Sequence, residues 1–441
     1  MNTSDTIKSP EPLLILAYFY PPIKIIAVLR SYYFSQFVAP YFNGIHIVTT
    51  SNRRRLPTEN LPNTEGVEIH EALTFDYRTL STLRSRSSVS FKEDTKSNQL
   101  VKFIIKLNKS FPTTLLWGEG GLIYIIHSFI IAIKLIRKHH IHTIYSSFSP
   151  YSDHVVARLL KIFYPKLVWI ADFRDLHVEP HYDIVFWRPF QHWCNRQILK
   201  KADLVTTVSE GLAKHLKAYH SNVYVFHNGI APLSINEVND DYQSRFPEKF
   251  TICYTGSMYG DERNPQLLLE ILKELTDKGI LTIDNFQFVY AGKDTQLWLD
   301  WVNRYGLASY FVSHGMIPLS EAKRLQRTSH INLLLTSATP EWTGVMTGKF
   351  YEYLAAKQPI VVLVNGTQDI EFETIMNNLN AGCVVYNDRS YDELHHCILT
   401  HFNQFQKKGR VEQTILVEKL KELEWSFTVE KLMAKIEDVT T

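Results

Sequence analysis

The chain has little cysteine: four residues, Cys194, Cys253, Cys383 and Cys397, in 441. None forms a Cys-x-x-Cys pair and none has a histidine at zinc-finger spacing. Disulfide-framework and zinc-finger classes are therefore excluded, and the thiols read as reduced and cytosolic. No Asp-x-Asp occurs, so no metal-diphosphate site is expected, and none is expected elsewhere. The G-x-G-x-x-G, G-x-x-x-x-G-K-[ST], G-x-S-x-G and H-E-x-x-H patterns are also missing. Their absence argues against dinucleotide dehydrogenases, P-loop NTPases, serine hydrolases and zinc peptidases. Long apolar runs are lacking too. Leu13–Tyr20 is short and ends in Pro21-Pro22, which suits a strand. Leu122–Ile136 is broken by His127, Ser128 and Lys134, too short and too polar to span a bilayer. The first ten residues hold one Asp and one Lys, without the basic start of a signal peptide.

What is present is the composition of a soluble globular protein, 45% apolar and 21% charged. A chain of 441 residues exceeds one core, so at least two domains are expected. Net charge is only +2, but it is unevenly placed. Residues 1–235 carry 27 Lys and Arg against 17 Asp and Glu, a net +10; residues 236–441 carry 20 against 28, a net −8. The basic half suits an anionic partner, whether a membrane surface, a lipid diphosphate or another phosphate. No basic-aromatic pattern accompanies it, so nucleic acid is not expected.

Apolar runs alternate with helix-period segments, the signature of parallel α/β structure. In the first half strands are predicted at Leu13–Tyr20, Gly44–Thr49, Thr143–Ser147, Leu167–Asp172, Leu204–Val208 and Val223–Phe226. Helices are predicted near 27–40, 120–139, 151–163, 185–201 and 209–219. Thr79–Gln99 reads as a Ser-, Arg- and Lys-rich loop, and 231–249 as a polar linker. The pattern then restarts. Strands are predicted at Thr251–Thr255, Gln287–Ala291, Tyr310–His314, Ile331–Leu335 and Ile360–Leu363, and helices near 265–278, 295–305, 319–328, 347–356 and 370–379. Two doubly wound, Rossmann-like domains of similar size follow, with ligands expected beyond the carboxyl ends of the strands.

The most informative segment is Thr347-Gly348-Lys349-Phe350-Tyr351-Glu352-Tyr353-Leu354. A helix N-terminus offers free N–H groups and partial positive charge to a phosphate. Lys349 adds a full charge. Glu352, three residues on, shares its face and can accept from a ribose or sugar hydroxyl. Thr255-Gly256-Ser257 follows a strand; Gly256 permits close backbone approach and Arg263 can reach a phosphate. Backbone amides around His314-Gly315-Met316 can meet a base. In Asp172-Phe173-Arg174-Asp175, one carboxylate can orient Arg174, whose guanidinium suits a phosphate or developing anion, and the other can contact acceptor hydroxyls. Arg30 and His154 are further cleft candidates at strand ends. Taken singly, each motif also has a bland reading as a turn, a solvated helix face or a helix start.

In order and together, these pieces resemble the GT-B glycosyltransferases of the family 4 type. Leu13–Pro22 with Arg30, Ala202–Ser209, His227-Asn228-Gly229, Tyr254–Ser257, Gly315 with Glu321 and Ala322, Gly348–Leu354 and Trp425-Ser426-Phe427 carry the likeness along nearly the whole chain. The resemblance implies two Rossmann-like domains facing across a cleft. It places an acceptor-side domain at 1–230, a linker at 231–249, a nucleotide-sugar domain at 250–424 and a helix crossing back at 425–441. It implies a retaining transfer from a nucleotide-diphospho-sugar to a glycan or lipid-linked acceptor, with no metal or other cofactor. Donor contacts fall on Gly256, Ser257, Arg263, Met316, Gly348, Lys349 and Glu352. Catalytic groups fall on Arg174, Asp175 and Asp172, and acceptor-side groups on Arg30 and His154. The expected place is the cytoplasm, peripheral at the inner face of an anionic membrane. The chain departs from the pattern at three points. Lys24-Ile25 stands for a Gly-Gly turn. Gly344 stands for a Glu eight residues before Glu352, with Glu341 the nearest carboxylate in sequence. Arg174 stands for a His. The missing Gly-Gly and the Gly344 departure motivate one alternative, a catalytically silent partner-binding subunit; a nucleotide-sugar epimerase, which shares the architecture, is another.

Overall fold

A computed structural model describes residues 11–23, 25–54, 61, 65–74, 99–116, 120–180, 183–231, 247–258, 260–344 and 346–440. The Thr79–Gln99 loop, except Gln99, most of the 231–249 linker, and Lys24 lie outside the described residues. The chain divides into two compact units, 1–228 with 425–441, and 229–424.

In the first unit the elements run β1 (Leu13–Leu16), α1 (Ile26–Val38), β2 (Ile45–Thr50), β3 (Val67–Ala72), α2 (Gln99–Lys109), α3 (Thr113–Leu116), α4 (Leu122–His139), β4 (Thr143–Phe148), α5 (Ser152–Phe163), β5 (Val168–Phe173), α6 (Arg188–Leu199), β6 (Leu204–Thr207), α7 (Glu210–Leu216) and β7 (Val223–Val225). All seven strands are parallel, in the order β3-β2-β1-β4-β5-β6-β7. Strands covered on both faces read as unbroken apolar runs rather than alternating ones. β1 and β2 are buried at every position. The C-terminal helix, α15 (Trp425–Thr440), belongs to this unit and packs on α1, with Trp425 stacked on Tyr33.

The second unit runs β8 (Phe250–Thr255), α8 (Gln266–Asp277), β9 (Phe286–Ala291), α9 (Thr295–Arg304), β10 (Phe311–Ser313), α10 (Leu319–Thr328), β11 (Ile331–Ala338), α11 (Gly348–Ala356), β12 (Ile360–Gly366), α12 (Ile370–Leu379), β13 (Gly382–Tyr386), α13 (Tyr391–Lys408) and α14 (Val417–Leu420). Its sheet, β10-β9-β8-β11-β12-β13, is again all parallel, and its strand order reverses between β8 and β11. One core face gathers Phe250, Leu268, Leu272, Phe288 and Trp298; the other gathers Phe350, Tyr353, Val362 and Phe372. α11 stops where Lys357 turns left-handed at φ 57 ahead of Gln358-Pro359, since a proline disfavours helix in the residue before it.

Three sequence expectations shift. The strand predicted at Leu13–Tyr20 ends at Leu16, and Ala17–Tyr20 continue as a buried turn. β3 and β13 were not expected, because an edge strand such as Val-Glu-Ile-His-Glu-Ala carries charge along it. Cysteines that look scattered in sequence include one close pair: Cys383 Sγ and Cys397 Sγ lie 3.1 Å apart.

Candidate functional site

In an open α/β sheet the strand order reverses at a switch point, and the loops there leave a crevice at the carboxyl ends. In the second unit that point lies between β8 and β11. β8 ends in Thr255, and Gly256 follows with φ +105, a conformation that disfavours any side chain. Gly256 N–H donates to Ala291 O at 2.7 Å, tying this turn to the end of β9. α11 begins beside it. The Lys349 stem crosses directly over Gly256, where a Cβ would collide with its Cε and Nζ. The glycine thus serves two geometric needs, the backbone angle and the passage of the lysine.

Lys349 Nζ donates to Tyr254 Oη and to Ser257 O, both at 3.1 Å, and sits 4.7 Å from the centre of the Tyr254 ring. Burial foremost, and the nearby Arg263 charge after it, lower its pKa from 10.5 to about 7 against the opposing pull of Glu352 and Asp294. Thr347, the residue before the helix, does not cap it, and its Oγ1 has no hydrogen-bond partner. The first-turn N–H groups therefore keep their capacity to receive an oxyanion.

Glu352 lies one turn further in. Burial raises its pKa, while Gln326, donating through Nε2 to Oε2 at 3.1 Å, opposes the shift. Gln326 also donates to Thr255 Oγ1 at 2.8 Å, so the carboxylate and the end of β8 are held by one amide. Tyr290 Oη donates to Gly256 O at 3.0 Å and accepts from Asp294 N at 2.8 Å; Asp294 Oδ2 accepts from Met258 N at 3.0 Å. Gly256, Ser257, Arg263, Gly348, Lys349 and Glu352 are thus brought to one sheet edge. Met316 stands 69% exposed in the loop whose Gly315 O accepts from Gly292 N at 2.8 Å. No motif along the chain singles out the supporting side chains of Tyr254, Tyr290, Asp294 and Gln326. Tyrosine and glutamine in strand or helix interiors look like ordinary core until their partners are known.

Gly344 has φ +70, and its N–H donates to Asp369 Oδ2 at 2.8 Å. A Cβ there would collide with the Glu371 carboxylate. The carboxylate filling the space beside Gly344 is therefore that of Glu371, on α12, rather than Glu341.

The first-unit candidates are arranged differently from expectation. Asp172 is fully buried and its oxygens are engaged: Arg30 donates through Nε at 2.8 Å and through a terminal nitrogen at 2.6 Å, and Thr206 Oγ1 donates at 2.8 Å. Burial raises the Asp172 pKa, but Arg30 and these donors outweigh it, and the net shift is downward. Arg30 also donates to Asn228 Oδ1 at 2.9 Å and Phe226 O at 3.0 Å. Arg30 and Asp172, read as an acceptor-side and a catalytic group, form a buried ion pair that joins α1 to β5. Arg174 pairs with Asp175, at 3.4 Å; Asp175 is exposed and Arg174 half-buried. His154, expected at the cleft, is fully buried against Phe173, with Nδ1 2.7 Å from Ser146 Oγ. Burial lowers its pKa to about 3, so it is neutral. Arg174 and Asp175 are the members of this group that reach solvent.

No protein-family model matches the chain, and no curated protein matches it in sequence. Solved structures do match. Sucrose-phosphate synthase from Thermosynechococcus elongatus is similar with a TM-score of 0.60 at 10% identity, over 97% of this chain and 99% of that one. The α,α-trehalose-phosphate synthase (UDP-forming) from Burkholderia xenovorans is similar at 0.56 and 12%, over 97% and 100%. WaaG, a glycosyltransferase involved in lipopolysaccharide biosynthesis, is similar at 0.52 and 10%, over 97% and 98%. Likeness at such identities speaks to architecture, and it places this chain, with its two doubly wound parallel sheets, in the GT-B fold.

Proposed function

We propose that the protein is a retaining glycosyltransferase, moving a sugar from a nucleotide-diphospho-sugar to a hydroxyl of a glycan or lipid-linked acceptor in surface polysaccharide synthesis. The observation that carries this reading is Lys349 crossing Gly256 at the uncapped start of α11, with Arg263 and Glu352 beside it. The diphosphate would lie on the α11 N-terminus against Lys349 and Arg263. Glu352 would accept from a ribose hydroxyl. As the bond from the sugar to the diphosphate breaks, negative charge grows on the leaving oxygen, and fixed cations there stabilise the transition state. In this reading those two side chains supply the charge that a metal supplies in other enzymes. Glu371, beside Gly344, would hold a sugar hydroxyl. Arg174 would act at the acceptor side.

A peripheral membrane setting has its own support. Among the described residues no helix is long and apolar enough to cross a membrane. Yet Phe103, Ile104 and Ile105 of α2 and Leu122, Ile123, Ile126 and Ile130 of α4 are exposed, alongside Lys102, Lys106 and Lys109. Exposed apolar side chains among lysines suit an anionic lipid surface.

Calorimetric titration with UDP, GDP and ADP, then with their sugar conjugates, tests the reading. One nucleoside diphosphate should bind saturably, and Arg174→Ala should lower turnover more than donor affinity. Binding of none of them would overturn it. A free epimerised sugar nucleotide released without acceptor would favour the epimerase alternative.

A further inference from the structure

Three side chains that no donor or acceptor role uses meet at the edge of the first sheet. Among the described residues β3 is an edge strand, paired on one side only, to β2. The register sets His46 opposite Glu68, and Val48 opposite His70. Side chains two apart in a strand share a face, and aligned residues of parallel neighbours do too. His46, Glu68 and His70 therefore project together on one face by backbone geometry alone. α4 packs against β2 and β3, and its last residue, His139, lies with its ring centre 4.3 Å from that of His46.

The donor atoms converge. His46 Nδ1 is 3.2 Å from His70 Nε2 and 3.3 Å from Glu68 Oε2, and His70 Nε2 is 3.9 Å from Glu68 Oε2. A triangle with those sides has a centre about 2.0 Å from each corner, which is a zinc-to-imidazole or zinc-to-carboxylate bond length. Tetrahedral coordination at that length sets ligand atoms roughly 3.3 Å apart, so two of the edges already match. Glu68, whose side chain is 66% exposed, has room to close the third. Two imidazoles and one carboxylate are a donor set for a borderline divalent cation such as Zn²⁺, and a poor one for Mg²⁺ or Ca²⁺.

We propose that His46, Glu68 and His70 form a structural zinc-class site that cross-links edge strand β3 to β2, with His139 or water completing the coordination. Its place in the strands favours structure over catalysis. His46 and Glu68 are each the second residue of their strand, toward the amino ends. The Arg30–Asp172 pair lies at the opposite, carboxyl edge. An edge strand held by one ladder gains from a clamp.

The test uses the full chain, freed of any histidine tag and stripped with chelator. Titration with Zn²⁺ should show saturable binding of one ion per chain and a rise in melting temperature. Co²⁺ in its place should give the visible absorption of a site of low coordination number. His70→Ala and Glu68→Gln should each weaken Zn²⁺ binding by at least about tenfold, the loss of one ligand, while His142→Ala leaves it unchanged. Glu68 is exposed, so Glu68→Gln keeps the test sound even if changing buried His46 disrupts folding. Nucleoside diphosphate binding should be the same with and without the ion. Absence of one-to-one binding, or binding unaltered in both His70→Ala and Glu68→Gln, overturns the proposal and leaves a hydrogen-bonded cluster.

Discussion

Replacing Lys349 by methionine keeps a stem over Gly256 and removes the charge, and two effects of opposite sign should follow. In the unbound protein burial has lowered the lysine pKa to about 7. Its unfolded value is about 10.4. A lysine depressed on folding costs stability: the cost is full below pH 7, shrinks as pH rises toward 10.4, and vanishes above it. The pKa gap corresponds to about 4 kcal/mol at pH 7, and to a few kcal/mol once residual solvent access is allowed for. Methionine removes that cost. Ser257 O still accepts from Tyr254 Oη at 2.5 Å, so no carbonyl is stranded. The variant should melt at least about 2 °C higher at pH 7, on the usual scale for a domain of this size. Binding should move the other way. Loss of one charge-assisted hydrogen bond to a phosphate is about 1.5–3 kcal/mol, or roughly 10- to 150-fold in Kd. There is also a signature in pH. A bound diphosphate restores the lysine proton, so above pH 7 the wild type must take up a proton to bind, and its affinity should fall by up to about tenfold per unit. The variant should lack that part of the slope. Calorimetry with the cognate nucleoside diphosphate at pH 7 and 8.5, beside scanning calorimetry of the free protein, reads both effects. A variant that melts lower and binds as the wild type does would refute the assignment.

Glu352→Gln should weaken nucleoside diphosphate binding about tenfold but leave inorganic diphosphate affinity unchanged, since it removes a hydroxyl acceptor and no phosphate contact; a competition assay with both ligands separates the two. Gly256→Ala should abolish donor binding, because its Cβ displaces Lys349, and should lower stability by about 1–3 kcal/mol for the left-handed backbone, seen as a lower denaturant midpoint. Arg30→Met should destabilise the first unit by about 3–5 kcal/mol by leaving Asp172 buried and unpaired, and Asp172→Leu added to it should recover most of the loss in urea melts. Because the Asp172 pKa is lowered in the fold, the wild-type contribution should hold above about pH 4 and disappear as acid titrates the folded carboxylate.

Much of this was legible along the chain. Unbroken apolar runs such as Leu13–Leu16 and Ile360–Leu363 suit strands buried on both faces, and their alternation with helix-period segments pointed to parallel sheets. The segment Thr347–Glu352 combined a helix start, a cation and a carboxylate at fixed local spacing, so its character was set by sequence neighbours. Both are short-range properties, in which the backbone period alone places the side chains.

What tertiary structure decided concerns pairs distant in sequence. Either carboxylate of Asp172 and Asp175 could have partnered Arg174, yet β5 ends at Phe173 and the sheet delivers Arg30, 142 positions off, to the buried Asp172 carboxylate. His154 could have lined a cleft, but its helix turns it into an aromatic core. Gly344 looked like a missing carboxylate, and only the packing of α12 shows Glu371 in that space. His46 and His70, 24 positions apart, became a cluster through one strand register. Sequence determined which segments fold and the chemistry each can carry. Which charges meet was decided by the sheets, because burial makes an unpaired charge costly and the partner that satisfies it is the one the strand order brings near.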